Sequence, residues 1–322
     1  MAVLTRVTEA ETLELLSAYG LGGLRALEGI AGGSVNSNFA VECDTGRLFL
    51  RLYEERDLPG AQRETAMLER LALAGVPTPA PLRRIDGAFV SVVRGKPAAL
   101  FPWREGRMRC QAAVTTEDAG RLGEALARVH VAGAREACDK GRFGFADLLR
   151  RLDGIAASGD VRFSPLAAPL RASLEGTHAA RDPRLPGGLV HSDLFRDNVL
   201  WTEQAEIAAM LDFESACEGT YTYDLMVTVL AWCVGDDLQP PLATALRAGY
   251  ERVRPLSSAE RRGLHAEGSF AALRFTVTRI TDYAMRTEAL GPRVVKDWRR
   301  FLMRFEMLEA LGRDGLSRAL GM

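Results

Sequence analysis

Val190-His191-Ser192-Asp193-Leu194-Phe195-Arg196-Asp197-Asn198-Val199-Leu200 is the stretch on which the reading of this chain turns. It holds a histidine, an aspartate two residues on and an asparagine five further, then enters an apolar strand. Nineteen residues after Asp193 a second apolar run, Met210-Leu211-Asp212-Phe213, delivers another aspartate. Phosphoryl transfer asks for such a set. One carboxylate accepts the proton of an attacking hydroxyl, while an amide oxygen and a second carboxylate hold the metal that neutralises a triphosphate. Oxygen donors of this kind suit Mg2+. A capped turn is the plain alternative, with Asp193 and Asn198 only satisfying backbone groups. A metal-dependent hydrolase using His191, Asp193 and Asp212 would need more histidines than His130, His178 and His265, which stand alone.

Upstream, residues 36–43 and 47–54 are short, rich in β-formers and separated by Asp44-Thr45-Gly46, which predicts a hairpin. Alternation puts Phe49, Arg51 and Tyr53 on one face of the second strand and Leu48, Leu50 and Leu52 on the other. Residues 61–74 read as a helix, with Glu64, Met67, Leu68 and Leu71 in register and Gly75 and Pro77 to stop it. Strand-like runs follow at 88–93 and 98–103. After Gly106 the period becomes helical: Thr116 is the expected cap of a helix carrying Ala119, Leu122, Leu126 and Val129, and helical patterns return at 223–234, 242–253, 270–285 and 298–311. The expected fold is α+β in two lobes, a small β-rich domain over residues 1–103 and a larger helical one over 104–322.

Composition excludes several classes. Lys+Arg 41 against Asp+Glu 42 leaves a formal charge of −1 with no basic block, which argues against nucleic-acid binding through phosphates. No apolar run approaches the length that spans a bilayer, so no membrane partner is expected. The amino terminus lacks the plan of a signal peptide, and five cysteines without C-x-x-C spacing read as reduced thiols of a cytoplasmic protein. Lysines are only three, Lys96, Lys140 and Lys296.

That scarcity matters for the phosphates. Gly32-Gly33-Ser34-Val35-Asn36-Ser37-Asn38 precedes the hairpin, and small residues such as Gly33, Ser34 and Asn36 let backbone N–H groups approach phosphate oxygens. Kinases with a catalytic loop of this type place a lysine on the third strand of the small lobe, paired with a helical glutamate. None of the three lysines lies there; Lys96 reads as part of a Gly-Lys-Pro turn. Arg51 occupies the strand position, and Glu64 is the helical glutamate that could pair with it.

With Leu211-Asp-Phe-Glu-Ser-Ala-Cys217, Tyr223-Asp-Leu-Met-Val-Thr-Val-Leu-Ala-Trp-Cys233 and Leu273-Arg-Phe-Thr-Val-Thr-Arg-Ile-Thr-Asp-Tyr283 added to the loop, the sequence resembles the aminoglycoside phosphotransferase/choline kinase-like small-molecule kinases of protein-kinase-like fold. Within that group it is most similar to the homoserine kinases. The resemblance implies ATP and Mg2+ as cofactors, Asp193 as catalytic base, Asn198 and Asp212 as metal ligands, and Arg51 with Glu64 near the nucleotide. It implies further that His191 braces the loop and that Asp224 anchors it. Ser192 stands where glycine is common. Eleven residues between Asp212 and Asp224 leave no room for an activation segment, so a small-molecule hydroxyl acceptor fits better than a protein. For zwitterionic homoserine, Arg274 and Arg279 are the candidates for the carboxylate and Asp282 or Glu214 for the ammonium. Another small alcohol (an aminoglycoside, choline or ethanolamine, a sugar) or a weakly active nucleotide-binding module are the other readings.

Overall fold

The computed structural model describes residues 3–30, 35–134, 136, 138–285 and 296–322. They form two compact units, Met1–Arg107 with Ala208–Glu214, and Met108–Ile207 with Ser215–Met322. No helix among the described residues is long and apolar enough to cross a membrane.

The first unit is built on a five-stranded antiparallel sheet of order β1-β2-β3-β5-β4, from β1 (Leu24–Gly29), β2 (Ser37–Cys43), β3 (Gly46–Leu52), β4 (Val90–Val93) and β5 (Lys96–Pro102). The β2–β3 hairpin closes on the Cys43–Gly46 pair, with Gly46 at φ 122, a backbone angle that favours glycine. Leu48, Leu50 and Leu52 enter the core with Phe39, Val41 and Leu100, as the alternation predicts, while Arg51 faces the other way. Helix α1 (Glu9–Ala18) adds Leu15 and Leu16 to this core. The strand-dominated expectation missed α1, although the Thr8–Glu11 capping box that starts it is a readable signal. It also missed β1. Helix α2 (Leu58–Leu73) starts on Asp57, whose side chain accepts from the Gly60 N–H, and turns Ala61, Glu64, Leu68 and Leu71 inward. Lys96 opens β5 rather than sitting in a turn; the turn is Arg94-Gly95 before it.

The second unit is helical: α3 (Thr116–Ala132), α4 (Phe145–Ala157), α5 (Ser164–Ala180), α6 (Tyr221–Trp232), α7 (Pro240–Val253), α8 (Ser258–Arg279) and α9 (Arg299–Ala319). The cap of α3 is Thr115, which forms a capping box with Asp118; Thr116 is already helical. Helices α4 and α5, absent from the sequence reading, bury Leu148, Leu152, Ile155 and Leu174 against α8. Helix α8 begins at 258, twelve residues before the apolar pattern shows, because Ser257 and Glu260 cap a polar first half. The chain continues from α8 as a π-turn, Ile280–Ala284. Strand β6 (Gly187–Val190) pairs antiparallel with β9 (Cys217–Thr220), setting Val190 opposite Cys217; β7 (Val199–Trp201) and β8 (Ile207–Met210) lie between them in the chain.

Helices α3 and α7 touch backbone to backbone. A Cβ on Gly249 would stand 2.0 Å from the Gly120 carbonyl oxygen, and one on Gly123 2.0 Å from that of Leu246. Gly249→Ala should therefore lower stability by about 1–3 kcal/mol, the range for overpacking a core. A fall in the urea midpoint reads this directly, and a midpoint equal to the wild type would mean that the helices separate at no cost.

Candidate active site

In the second unit the loop after β6 is held from beneath by a buried carboxylate. Asp224, in the first turn of α6, accepts from the backbone N–H of His191 at Oδ2 and of Ser192 at Oδ1, both at 2.7 Å. Its Oδ2 also lies 3.0 Å from His130 Nε2, and His130 Nδ1 is 2.7 Å from the Tyr250 hydroxyl. Burial alone would raise the Asp224 pKa, but the His130 bond and the His191 amide outweigh it and hold the carboxyl below its usual value.

Ser192 has φ 61, which costs an L-residue about 1–2 kcal/mol and explains why glycine suits this place. Its hydroxyl donates to the Ser215 carbonyl at 2.7 Å, a bond that glycine would lack. Asp193 follows, with its N–H 3.4 Å from His191 Nδ1 and its side chain 22% exposed. The Asn198 amide nitrogen donates to the Asp193 carbonyl at 2.8 Å, which leaves the amide oxygen as the group to offer a cation.

Arg274 reaches this loop from α8. Its guanidinium, 4% exposed, lies 3.6 Å from Asp193 Oδ1 and stacks over Phe275 and Phe143. Arg279 stacks over Phe301 and donates to the Asp297 carbonyl at 2.9 Å. Burial, aided by the neighbouring Arg274 and Arg300, pushes its pKa down to about 10 against the pull of Asp193. Beside the loop lies a cavity of about 190 Å3, lined among others by Phe143, Ser192, Glu218, Thr220, Tyr223 and Arg274. Glu218 and Thr220 are not among the residues that the sequence points to. Their signal, a four-residue strand running into a helix, becomes visible only once β9 is paired with β6. Asp282 is engaged by Arg151 at 2.6 Å and by the Thr281 hydroxyl at 3.0 Å, both in this unit.

The remaining candidates lie in the first unit. Asp212 follows β8 with φ 62. Arg51 on β3 has its Nη1 3.4 Å from Glu64 and 3.1 Å from Glu214. Burial opposes its charge, but Glu214 and then Glu64 more than offset this and hold its pKa above the usual arginine value. Glu214, expected to be available to an ammonium, is thus tied to arginine, and Asn36 Nδ2 donates to it at 2.5 Å. Glu64 also accepts from Tyr53 at 3.2 Å and pairs with Arg56 at 3.0 Å. Lys96 pairs with Glu54 at 2.9 Å, an interaction not anticipated. Gly33 and Ser34 lie outside the described residues.

Among the described residues no group of three or more His, Cys, Asp or Glu side chains is placed to hold a metal. Taken singly, the Asp212 carboxylate and the Asn198 amide oxygen are donors of the kind that suits an ion taking few protein oxygens and filling its shell with water and phosphate.

The chain belongs to the phosphotransferase enzyme family, whose model matches residues 26–256. It is 38% identical to the homoserine kinase of Caulobacter sp. (strain K31) over 297 residues, covering 88% of this chain and 89% of that one. It is 37% identical to the homoserine kinase of Methylocella silvestris, with 88% of each chain covered. In three dimensions it resembles the amicoumacin kinase hAmiN in complex with AMP-PNP, Ca2+ and Ami, with a TM-score of 0.71, 14% identity and 94% of each chain covered. It also resembles the spectinomycin phosphotransferase APH(9)-Ia, with a TM-score of 0.68, 14% identity and 98% of each chain covered. The α+β fold is therefore kinase-like, as the loop motif led one to expect.

Asp224→Asn would leave one loop N–H facing a donor in place of an acceptor. It should cost about 1–3 kcal/mol of stability at neutral pH. Because the folded pKa is depressed, the stabilisation is fully present above the unfolded value of about 3.9 and is lost as pH falls through the folded one. Urea melts of the two proteins should differ by a constant amount down to about pH 4 and converge below it. Convergence already near pH 6 would contradict an ionised Asp224.

Proposed function

We propose that this protein transfers the γ-phosphoryl group of ATP to the hydroxyl of L-homoserine with Mg2+ as the divalent ion, a step towards threonine. The observation that carries the reading is Asp193. It is a half-buried carboxylate on a loop that a buried aspartate fixes, beside a small cavity with an arginine on its wall.

Asp193 accepts the proton of the acceptor hydroxyl as its oxygen bonds to the γ-phosphorus; the bond to the bridging oxygen breaks and ADP leaves. His191 and Asp224 keep the loop in register for this transfer. Asp212 and Asn198 are the oxygen donors for Mg2+, which when bound neutralises triphosphate charge. Arg274 is the candidate for the acceptor carboxylate, with Arg279 adding positive potential nearby. Asp282 and Glu214 already serve arginines, so Glu218 in the cavity wall is the better ammonium partner. A cavity lined by Arg142, Arg181 and Arg274 with Glu218 as its one carboxylate suits an acceptor that carries a carboxylate better than it suits a polycationic aminoglycoside.

ADP release by the purified protein with Mg2+ and ATP should be stimulated by L-homoserine well beyond choline, aminoglycosides or simple sugars. Equal or absent stimulation by homoserine would overturn the reading. Asp193→Asn should lower kcat by about 10²–10⁴ at unchanged thermal stability; a near-wild-type rate would place the base elsewhere. Arg274→Gln should raise KM for homoserine by about tenfold or more, the weight of a charge-assisted contact. The same change should leave KM for homoserinol, which has no carboxylate, nearly unaltered. A parallel rise for both alcohols would assign Arg274 a role in holding Asp193 alone.

A further inference from the structure

Asp212 stands in the left-handed region at φ 62. An L-residue adopts that conformation at a cost and keeps it only where its surroundings impose it. What imposes it lies two residues on. Phe213 is buried. The Glu214 carboxylate takes Arg51 Nη1 at 3.1 Å and Asn36 Nδ2 at 2.5 Å, and its backbone carbonyl accepts from Arg56 Nη2 at 2.6 Å. Asn36 is itself fixed, its Oδ1 accepting the Glu54 N–H at 3.1 Å. Three side chains from three places in the first unit therefore close on one residue.

The charges point the same way. Arg51 and Arg56 face Glu64 and Glu214, a balanced set, and the Asp212 charge also acts on Arg51. The sum is negative, which suits a cation and repels a phosphate. A lysine in this strand position with one glutamate partner can still share its charge with a nucleotide. Here a second carboxylate takes what the first leaves.

We infer that Glu214 is a positioning residue which, through its ion pair with Arg51, holds the Asp212 carboxylate for the metal, so that Arg51 is a strut between carboxylates and not a phosphate ligand. This rests on the reading of Asp212 as a metal ligand, but not on the identity of the acceptor.

Glu214→Gln keeps the shape, the oxygen that faces Asn36 and the backbone carbonyl, and deletes only the charge. The readout that does not need turnover is the rise in melting temperature on adding ADP, titrated with Mg2+. The Mg2+ midpoint of that rise should move up by about tenfold, as expected for losing a contact to a charged group. In turnover, kcat at fixed Mg2+ should fall by a similar factor with KM for homoserine unchanged. Arg51→Gln should shift the Mg2+ midpoint like Glu214→Gln, and the double variant should be no worse than the poorer single one, the signature of a coupled pair. Arg51→Lys, which keeps the charge, should recover part of the loss. An Mg2+ midpoint in Glu214→Gln equal to the wild type, at any melting temperature, would overturn the inference. So would an Arg51→Gln variant that loses ADP affinity even at saturating Mg2+, since Arg51 would then be a phosphate ligand. If wild-type protein ignores homoserine but shows the Mg2+-dependent thermal shift, the acceptor fails and the positioning inference is still decided by the midpoints.

Discussion

Everything in the loop after β6 depends on one ionised carboxylate with no access to water. Asp224 is fully buried, and a buried charge is stable only when its lone pairs are met by donors. Two of those donors are the consecutive N–H groups of His191 and Ser192 and a third is the ring of His130. Two consecutive amides point to one acceptor only if the chain turns sharply, and Ser192 supplies that turn with its positive φ. The far side of the loop is tied to the other end of the same helix. Trp232 Nε1 donates to the Leu194 carbonyl at 2.9 Å, and Arg196 donates to the carbonyl of Ala231. Helix α6 thus grips the loop at both of its termini, and Asp193 lies between the two grips.

Backbone strain recurs at the second aspartate. Ser192 and Asp212 have nearly the same positive φ, and each is accompanied by a carboxylate engaged elsewhere, Asp224 in one unit and Glu214 in the other. Strain of this sort is maintained by the groups around it and not by the residue that bears it. It follows that Ser192→Gly would relax the backbone yet forfeit the bond to Ser215, two effects of opposite sign that nearly cancel.

Much of this was legible in the sequence, where the information is local. The β2–β3 hairpin and the inward face of β3 are set by neighbours within a few residues, and the structure has them as read. The alternation that sent Arg51 away from the leucines was enough to place it near α2. What could not be read depends on distant partners. His130 looked solitary because Asp224 lies 94 positions away and Tyr250 120. Glu214 reads as free for an ammonium because its arginine lies far back in the chain, on β3. The polar first half of α8 hid a helix whose buried face carries Glu267, paired with Arg181 at 2.8 Å. The α4–α5 pair has well-spaced apolar residues, Leu148, Leu152, Ile155, Leu170 and Leu174, whose common face shows only once α8 packs on it.

The scarcity of lysine also acquires a physical sense in the second unit. Arg304 is buried against the end of α6, donating to the Leu230 carbonyl at 2.9 Å and the Val234 carbonyl at 3.1 Å. Arg247 does the same for the last residues of the chain, donating to the Leu320 carbonyl at 2.7 Å. A planar fork with several donors can satisfy two or three of the carbonyls that a helix leaves unpaired, where an ammonium acts as a single point. Charge decides the matter further. Burial, reinforced by Arg279, Arg300 and Arg196, pushes the Arg304 pKa down from the usual arginine value to about 10, which still leaves it charged at neutral pH. A lysine starts near 10.4 and so gives up its proton more readily under the same push. Where the end of α6 is capped from inside, arginine is the cation that keeps its charge.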